Sequence, residues 1–162
     1  RQMYWYVKNT LELNGYHHYE ISNFAKKGKE SKHNMNCWEQ KEYIGLGVAA
    51  HSYINHVRFS NTSKMEEYIE NMNNANNQKN VTIEEEQTLE DKKKEYMLLG
   101  LRKIDGVSIQ KFKEKYMDNP IFLFRKELKK LVEENLLEID GDFIRLTNKG
   151  IDLANLVSEE FV

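Results

Sequence analysis

Residues 136–147 read Leu136-Leu137-Glu138-Ile139-Asp140-Gly141-Asp142-Phe143-Ile144-Arg145-Leu146-Thr147. Two short runs that mix apolar with polar side chains flank an Asp-Gly pair, a strong local signal for a two-stranded hairpin. Thr147 then has the form of a cap for a closing helix that ends near Phe161. Upstream, Ser108 caps a helix that turns Ile109, Phe112 and Tyr116 inward. Asn119-Pro120 starts another helix, running to about Asn135, with Phe122, Leu123, Leu128, Leu131 and Val132 as its apolar residues. Before these, residues 84–104 predict a long amphipathic helix carrying Leu89, Tyr96, Met97, Leu98, Leu99 and Leu101, with Gly106 as its breaker. Gly100 inside that stretch implies close packing against a neighbour or an earlier helix end. Three helices, a two-stranded wing and a closing helix are the parts of a winged-helix-like domain.

Residues 71–80 hold six asparagines and predict a helix end followed by a linker. The expected domains are therefore 1–80 and 81–162. In the first, Met3, Tyr4, Val7 and Leu11 fall at helical spacing, and Asn14-Gly15 supplies a stop. Residues 16–24 then predict one strand with Tyr19 and Ile21 on a common face. A helix, a glycine turn and a strand make one repeat of a βα architecture, arriving without its earlier strands. Residues 33–43 read as a short helix or an irregular segment. Residues 44–54 are apolar and small, and residues 58–60 are expected to pair with them. Ser63 to Glu66 has the form of a capping box, opening a helix with Met65, Tyr68, Ile69 and Met72 as its buried stripe.

The chain has 162 residues, 40% of them hydrophobic, and a formal net charge of −2. Mean hydropathy is −0.77, and no apolar run approaches the roughly 18–20 residues of a membrane span. Arg1 to Tyr6 has no initiator methionine and no leader pattern, so the sequence reads as a chain entered in mid-helix. Residues 1–87 carry 10 Lys+Arg against 11 Asp+Glu, and residues 88–162 carry 14 against 15. Neither half is the basic field that grips phosphate backbones. Cys37 is the one cysteine, which excludes an internal disulfide and points to a reducing, cytoplasmic setting.

Three segments in the first sixty residues carry a resemblance. They are Tyr19-Glu20-Ile21-Ser22-Asn23-Phe24-Ala25, then His33-Asn34-Met35-Asn36-Cys37-Trp38, then Gly45-Leu46-Gly47-Val48-Ala49-Ala50-His51-Ser52. In order and spacing they resemble the oxygen-independent coproporphyrinogen oxidase-like radical-SAM family, in the branch that includes the HemW haem chaperones. Residues 136–156 resemble the C-terminal domain of the same family, so the likeness covers nearly the whole chain. It implies an α+β fold: the last βα part of an incomplete radical-SAM, TIM-like barrel, followed by the winged-helix-like domain. It also implies a parent with a [4Fe–4S] cluster, S-adenosyl-L-methionine and a tetrapyrrole, haem among the candidates. Two departures stand out. Cys37 occupies the family's tyrosine position, and the cluster-binding CxxxCxxC is absent. One thiolate cannot hold the three irons that leave a fourth open for SAM, so this chain alone is expected to be catalytically inactive. Its expected partner is the radical-SAM core.

By resemblance, His33, Asn34, Trp38 and His51 are the residues that would meet a haem or porphyrin, with His33 the candidate iron ligand. The plain alternative for His33 is a helix cap or loop brace, and for His51 a polar strand end. Glu20, Ser22 and, if the strand bulges, Asn23 would line the barrel cavity, with Gly45 and Gly47 allowing close backbone approach. Residues 45–50 formally fit G-x-G-x-x-A, but no strand precedes them and no helix follows, so NAD binding is rejected. Cys37, four residues after His33, reads as a small hydrophobe rather than half of a metal site. The basic residues around Lys129 are interrupted by Glu127, Glu133 and Glu134, which argues against nucleic acid. A barrel strand without its upstream neighbour is expected to be covered by its own chain, to pair with a second copy in a homodimer, or to be poorly ordered. The function expected is the C-terminal part of a tetrapyrrole-handling radical-SAM protein resembling the haem chaperone. Coproporphyrinogen oxidase and a winged-helix nucleic-acid module are the alternatives.

Overall fold

The computed structural model describes residues 1–74 and 77–162. Along the chain, α1 (Gln2–Leu13) leads to β1 (His17–Glu20), β2 (Asn23–Ala25) and α2 (Lys32–Trp38). Next come β3 (His51–Ile54), β4 (Val57–Asn61), α3 (Met65–Asn73), a 3-10 helix (Asn77–Asn80) and β5 (Val81–Glu86). The remainder is α4 (Leu89–Gly100), β6 (Val107–Ser108), α5 (Ile109–Tyr116), α6 (Pro120–Leu123), α7 (Arg125–Glu133), β7 (Leu137–Asp140), β8 (Phe143–Leu146), α8 (Asn148–Asp152) and α9 (Ala154–Glu159). The chain divides into two compact units, residues 1–40 with 93–162 and residues 41–92. The boundary expected at 80–81 falls inside the second unit. The asparagine-rich linker includes residues 75 and 76, which lie outside the described residues.

In the first unit the core is one cluster, including Met97, Val107, Phe112, Leu131, Leu137, Ile144 and Phe161. A ladder of aromatic edges runs through it, from Tyr96 to Phe112, Phe124 and Phe161. The Asp-Gly hairpin forms as expected: β7 and β8 pair antiparallel, with Asp140 opposite Phe143 and Gly141 at φ +58°. β6 joins the other side of β8, giving the order β6-β8-β7. The Asp142 carboxylate closes this wing onto α5, accepting from Gln110 N (2.9 Å) and Ser108 Oγ (2.5 Å). The caps expected at Ser108 and Thr147 each accept a backbone N–H, and so does Asn119 ahead of Pro120.

α4 begins at Leu89, not residue 84, and ends at Gly100, ahead of Gly106. A Cβ on Gly100 would fall 2.5 Å from Val107 Cγ2, so both expectations for that glycine hold. At the start of α4, Thr88 and Asp91 form a reciprocal capping box: Thr88 N donates to Asp91 Oδ2 (3.0 Å) and Asp91 N to Thr88 Oγ1 (3.2 Å). The single helix expected after Pro120 is two, α6 and α7, meeting at Phe124.

The single strand expected over 16–24 is instead a tight hairpin. β1 and β2 pair with Glu20 opposite Asn23, leaving Ile21-Ser22 as the turn. On the other edge of β1, Ile21 N donates to Arg102 O (2.9 Å) and Ile104 N to Tyr19 O (3.2 Å), so the chain itself covers part of the strand edge. Trp5 Nε1 donates to Asp152 Oδ1 at 2.8 Å, and Arg1 pairs with the same carboxylate, fastening α1 to α8.

The second unit is a three-stranded antiparallel sheet in the order β3-β4-β5. The pairing expected between residues 44–54 and 58–60 is present, with His51 opposite Ser60 and Tyr53 opposite Arg58. Asn55 and His56, both at positive φ, make the turn. β5 was not foreseen, and its register against β4 shifts between Arg58 and Phe59, skipping Glu84. The capping box expected at Ser63 is also absent: Lys64 is the N-cap of α3 and gives no side-chain bond. The stripe on α3 is not buried either, Met65, Ile69 and Met72 being about half exposed.

Candidate functional site

The expected site residues fall into three groups. The first is the β1–β2 hairpin. Glu20 is fully buried and turned onto its own loop, where its carboxylate accepts from Ser22 N (3.2 Å) and from Asn23 Nδ2. Of the three residues expected to line a cavity here, Ser22 borders a cleft of about 720 Å³ together with Tyr4, Val7, Ile21, Phe24 and Ile151. Behind it His18 is buried, stacked on Phe24 at 4.5 Å, with Nε2 3.1 Å from both Tyr4 Oη and Ile21 O. Burial lowers the pKa of His18 and pushes the Tyr4 phenol up to about 12.

α2 supplies the second group. Ser31 Oγ caps the helix, accepting from Asn34 N (3.3 Å) and donating to Asn34 Oδ1 (3.0 Å). His33 is exposed in the first turn, and its Nε2 lies 3.8 Å from Cys37 Sγ one turn on. Trp38 closes the helix beneath the Arg102 guanidinium, 4.5 Å above its ring. Trp38 Nε1 and Arg102 Nε are buried with no hydrogen-bond partner among the described residues. Arg102 lies 64 positions downstream, so no spacing in the sequence could announce it.

The third group belongs to the second unit. Gly45 is forced to be glycine: a Cβ there would fall 2.2 Å from the His51 carbonyl oxygen. Gly45 N donates to Ser52 Oγ (3.0 Å), and Gly47 takes φ +101°. His51 opens β3 with its side chain 61% exposed, and its Nδ1 lies 3.2 Å from Glu84 Oε2. A hydrogen bond from Ser60 is the main cause that holds the Glu84 carboxyl below its usual range. Glu84 and Ser60 were missed because Glu84 reads as one more charge in a glutamate run.

Among the described residues no three His, Cys, Asp or Glu side chains converge as a metal site. With Cys37 as the one thiol, the residues present do not fit a [4Fe–4S] cluster. An iron-bearing tetrapyrrole asks less of a protein, since one imidazole can ligate it. On α7, Lys130 pairs with Glu160 (2.5 Å) and Lys129 with Glu133 (3.7 Å). No helix of the described residues is long and apolar enough to cross a membrane.

Residues 87–153 match the family described as HemN C-terminal domain. The chain is 40% identical over 161 residues to the heme chaperone HemW of Bacillus subtilis (strain 168), covering 99% of this chain and 42% of that protein. It is 37% identical over 160 residues to heme chaperone HemW of Lactococcus lactis subsp. lactis (strain IL1403), covering 99% and 41%. The chain thus spans about two fifths of the length of these curated relatives. Among solved structures, coproporphyrinogen III oxidase (HemN) from Escherichia coli, described as a radical SAM enzyme, superposes with a TM-score of 0.72. That likeness covers 96% of this chain and 39% of the other at 18% identity, and it is a likeness of fold.

Proposed function

We propose that this chain is the C-terminal part of a HemN/HemW-like radical-SAM protein and serves the tetrapyrrole-handling side of a haem chaperone. The alignment with two HemW proteins over 99% of the chain carries this reading. The cluster and SAM would belong to the parent's radical-SAM core, as Cys37 alone cannot supply their thiolates. What this chain contributes is binding. His33 and Asn34 on α2, with Trp38 and its Arg102 cover, form one set of tetrapyrrole contacts in the first unit. His51, beside the Gly45-to-Ala50 segment, forms another in the second. Cys37 as the one cysteine, which excludes an internal disulfide, suits a cytoplasmic protein.

Haem is large, flat and apolar, so binding it to the chain should quench tryptophan emission. Fluorescence titration with haemin, and separately with coproporphyrin III, tests the reading. Tighter binding of haemin supports a haem carrier. Preference for coproporphyrin III would move the assignment to the oxidase branch, and binding of neither would remove the tetrapyrrole role.

A further inference from the structure

We propose that His18 is a proton-operated latch for α1: while neutral it ties the helix to the β1–β2 hairpin, and once protonated it lets the helix go. The proposal is independent of the tetrapyrrole reading. A helix of 12 residues is marginal in water without a packed face, and no residue of α1 is buried. Polar attachments hold its N-terminal half instead. Arg1 and Trp5 bind the Asp152 carboxylate of α8, and Tyr4 joins His18 and the Ile21 carbonyl of the hairpin turn.

The second attachment fixes where the protons are. A carbonyl oxygen only accepts, and Ile21 O lies 2.9 Å from Tyr4 Oη and 3.1 Å from His18 Nε2, so both donate to it. The His18 proton therefore sits on Nε2, and Nδ1 carries a lone pair. Nδ1 is buried with no hydrogen-bond partner among the described residues, and His18 is only 6% exposed. Its ring is stacked on Phe24, with the Tyr4 ring edge-on 6.0 Å away. A proton arriving at Nδ1 would make a buried N–H without an acceptor and a charge cut off from water, so the protonated ring turns outward.

The charges around His18 do not reverse this. Lys8 on α1 disfavours the cation, while Glu12 on α1 and Glu20 on β1 favour it, and burial outweighs them. The Glu20 carboxylate is already engaged by Ser22 N and Asn23 Nδ2. From β2 the contact is Phe24, which carries no charge, and Asp152 of α8 acts on Tyr4. The neighbouring His17 pairs with Glu30 at 3.2 Å, so its protonation tightens a contact and cannot supply the release.

The latch bears on the 720 Å³ cleft, because Tyr4, Ile21 and Phe24, which His18 touches, all line it. Met3 and Val7 form more of the α1 wall. When the ring leaves, Tyr4 Oη loses a partner and Phe24 its backing, so α1 parts from the hairpin and the cleft widens.

Residue-resolved amide exchange on the full chain, corrected for the intrinsic pH dependence of exchange, follows α1 and the core as pH is lowered through 6.5. The open form takes up the proton, so opening of α1 should rise by up to about tenfold per pH unit below 6.5 and level off beneath the depressed closed-state pKa. Amides of β8 and of the second half of α4 should stay protected over that range. In His18→Gln the side-chain amide can still donate to Ile21 O but does not titrate, so α1 should remain closed. Equal acid opening in His18→Gln and the unsubstituted chain would overturn the proposal, as would loss of α1 and core protection together. The ring-nitrogen shifts of His18 in the unsubstituted chain give a reading that needs no variant. They should move together with the exchange of α1, and a protonated His18 beside a closed α1 would overturn the latch.

Discussion

A Cβ placed on Gly150 would fall 1.9 Å from the Leu136 carbonyl oxygen, whereas one on Gly141 would meet nothing within 4 Å. Two glycines of one domain are thus required for different reasons, the first by crowding and the second by its φ of +58°. Gly150→Ala should cost about 2–3 kcal/mol through forced backbone movement. Gly141→Ala should cost about 1 kcal/mol from left-handed strain alone. Urea midpoints will rank the two, and equal losses would refute the crowding argument. His18 makes a prediction in pH. Burial depresses its folded pKa below 6.5, so its favourable contribution is complete above that value and fades as pH falls through the depressed one. Melting temperature should therefore drop on acidification below 6.5, and His18→Gln should flatten that part of the curve. A slope identical in both proteins would discard His18 as its cause. At this scale the turn glycine was plain in the sequence, because Asp-Gly is local chemistry. Gly45 and Gly150 were not, since what crowds them comes from residues six and fourteen positions away.

Among the elements, legibility followed the same rule. The β7–β8 wing and the caps at Ser108 and Thr147 carry their instructions within a few residues, and all appear where expected. The β1–β2 hairpin does not, for its Ile21-Ser22 turn lacks glycine, asparagine and proline. The buried Glu20 carboxylate holds that turn, accepting from Ser22 N and Asn23 Nδ2. β5 was hidden differently. Glu84 to Glu86 favours helix and masked the β-branched Val81, Thr82 and Ile83, whose pairing with β4 prevailed. Thr88 and Asp91 mark the true start of α4, a signal present in the sequence but passed over. The wing also stabilises α5 through Asp142. Asp142→Ala should cost about 1–2 kcal/mol, the usual range for losing a helix cap. Chemical denaturation would measure it, and a loss near zero would show that Ser108 caps α5 unaided.

For the whole molecule, the apolar cluster lies entirely in the unit formed by residues 1–40 and 93–162. Residues 41–92 bury Tyr53 but leave Ile44, Leu46, Met65, Ile69, Met72 and Ile83 substantially exposed. Fewer buried apolar groups mean easier opening. Amide hydrogens of β3 to β5 should therefore exchange faster than those of α4's second half, α7 and β8. Equal protection in both units would contradict this ranking. The bond from Trp5 to Asp152 has a consequence in time as well as space. On a translating ribosome, at roughly ten residues per second, Asp152 is added on the order of ten seconds after Gln40. Until then the nascent α1 lacks its clasp, so residues 41–92 can fold before residues 1–40 do, and a chaperone would find α1 uncovered.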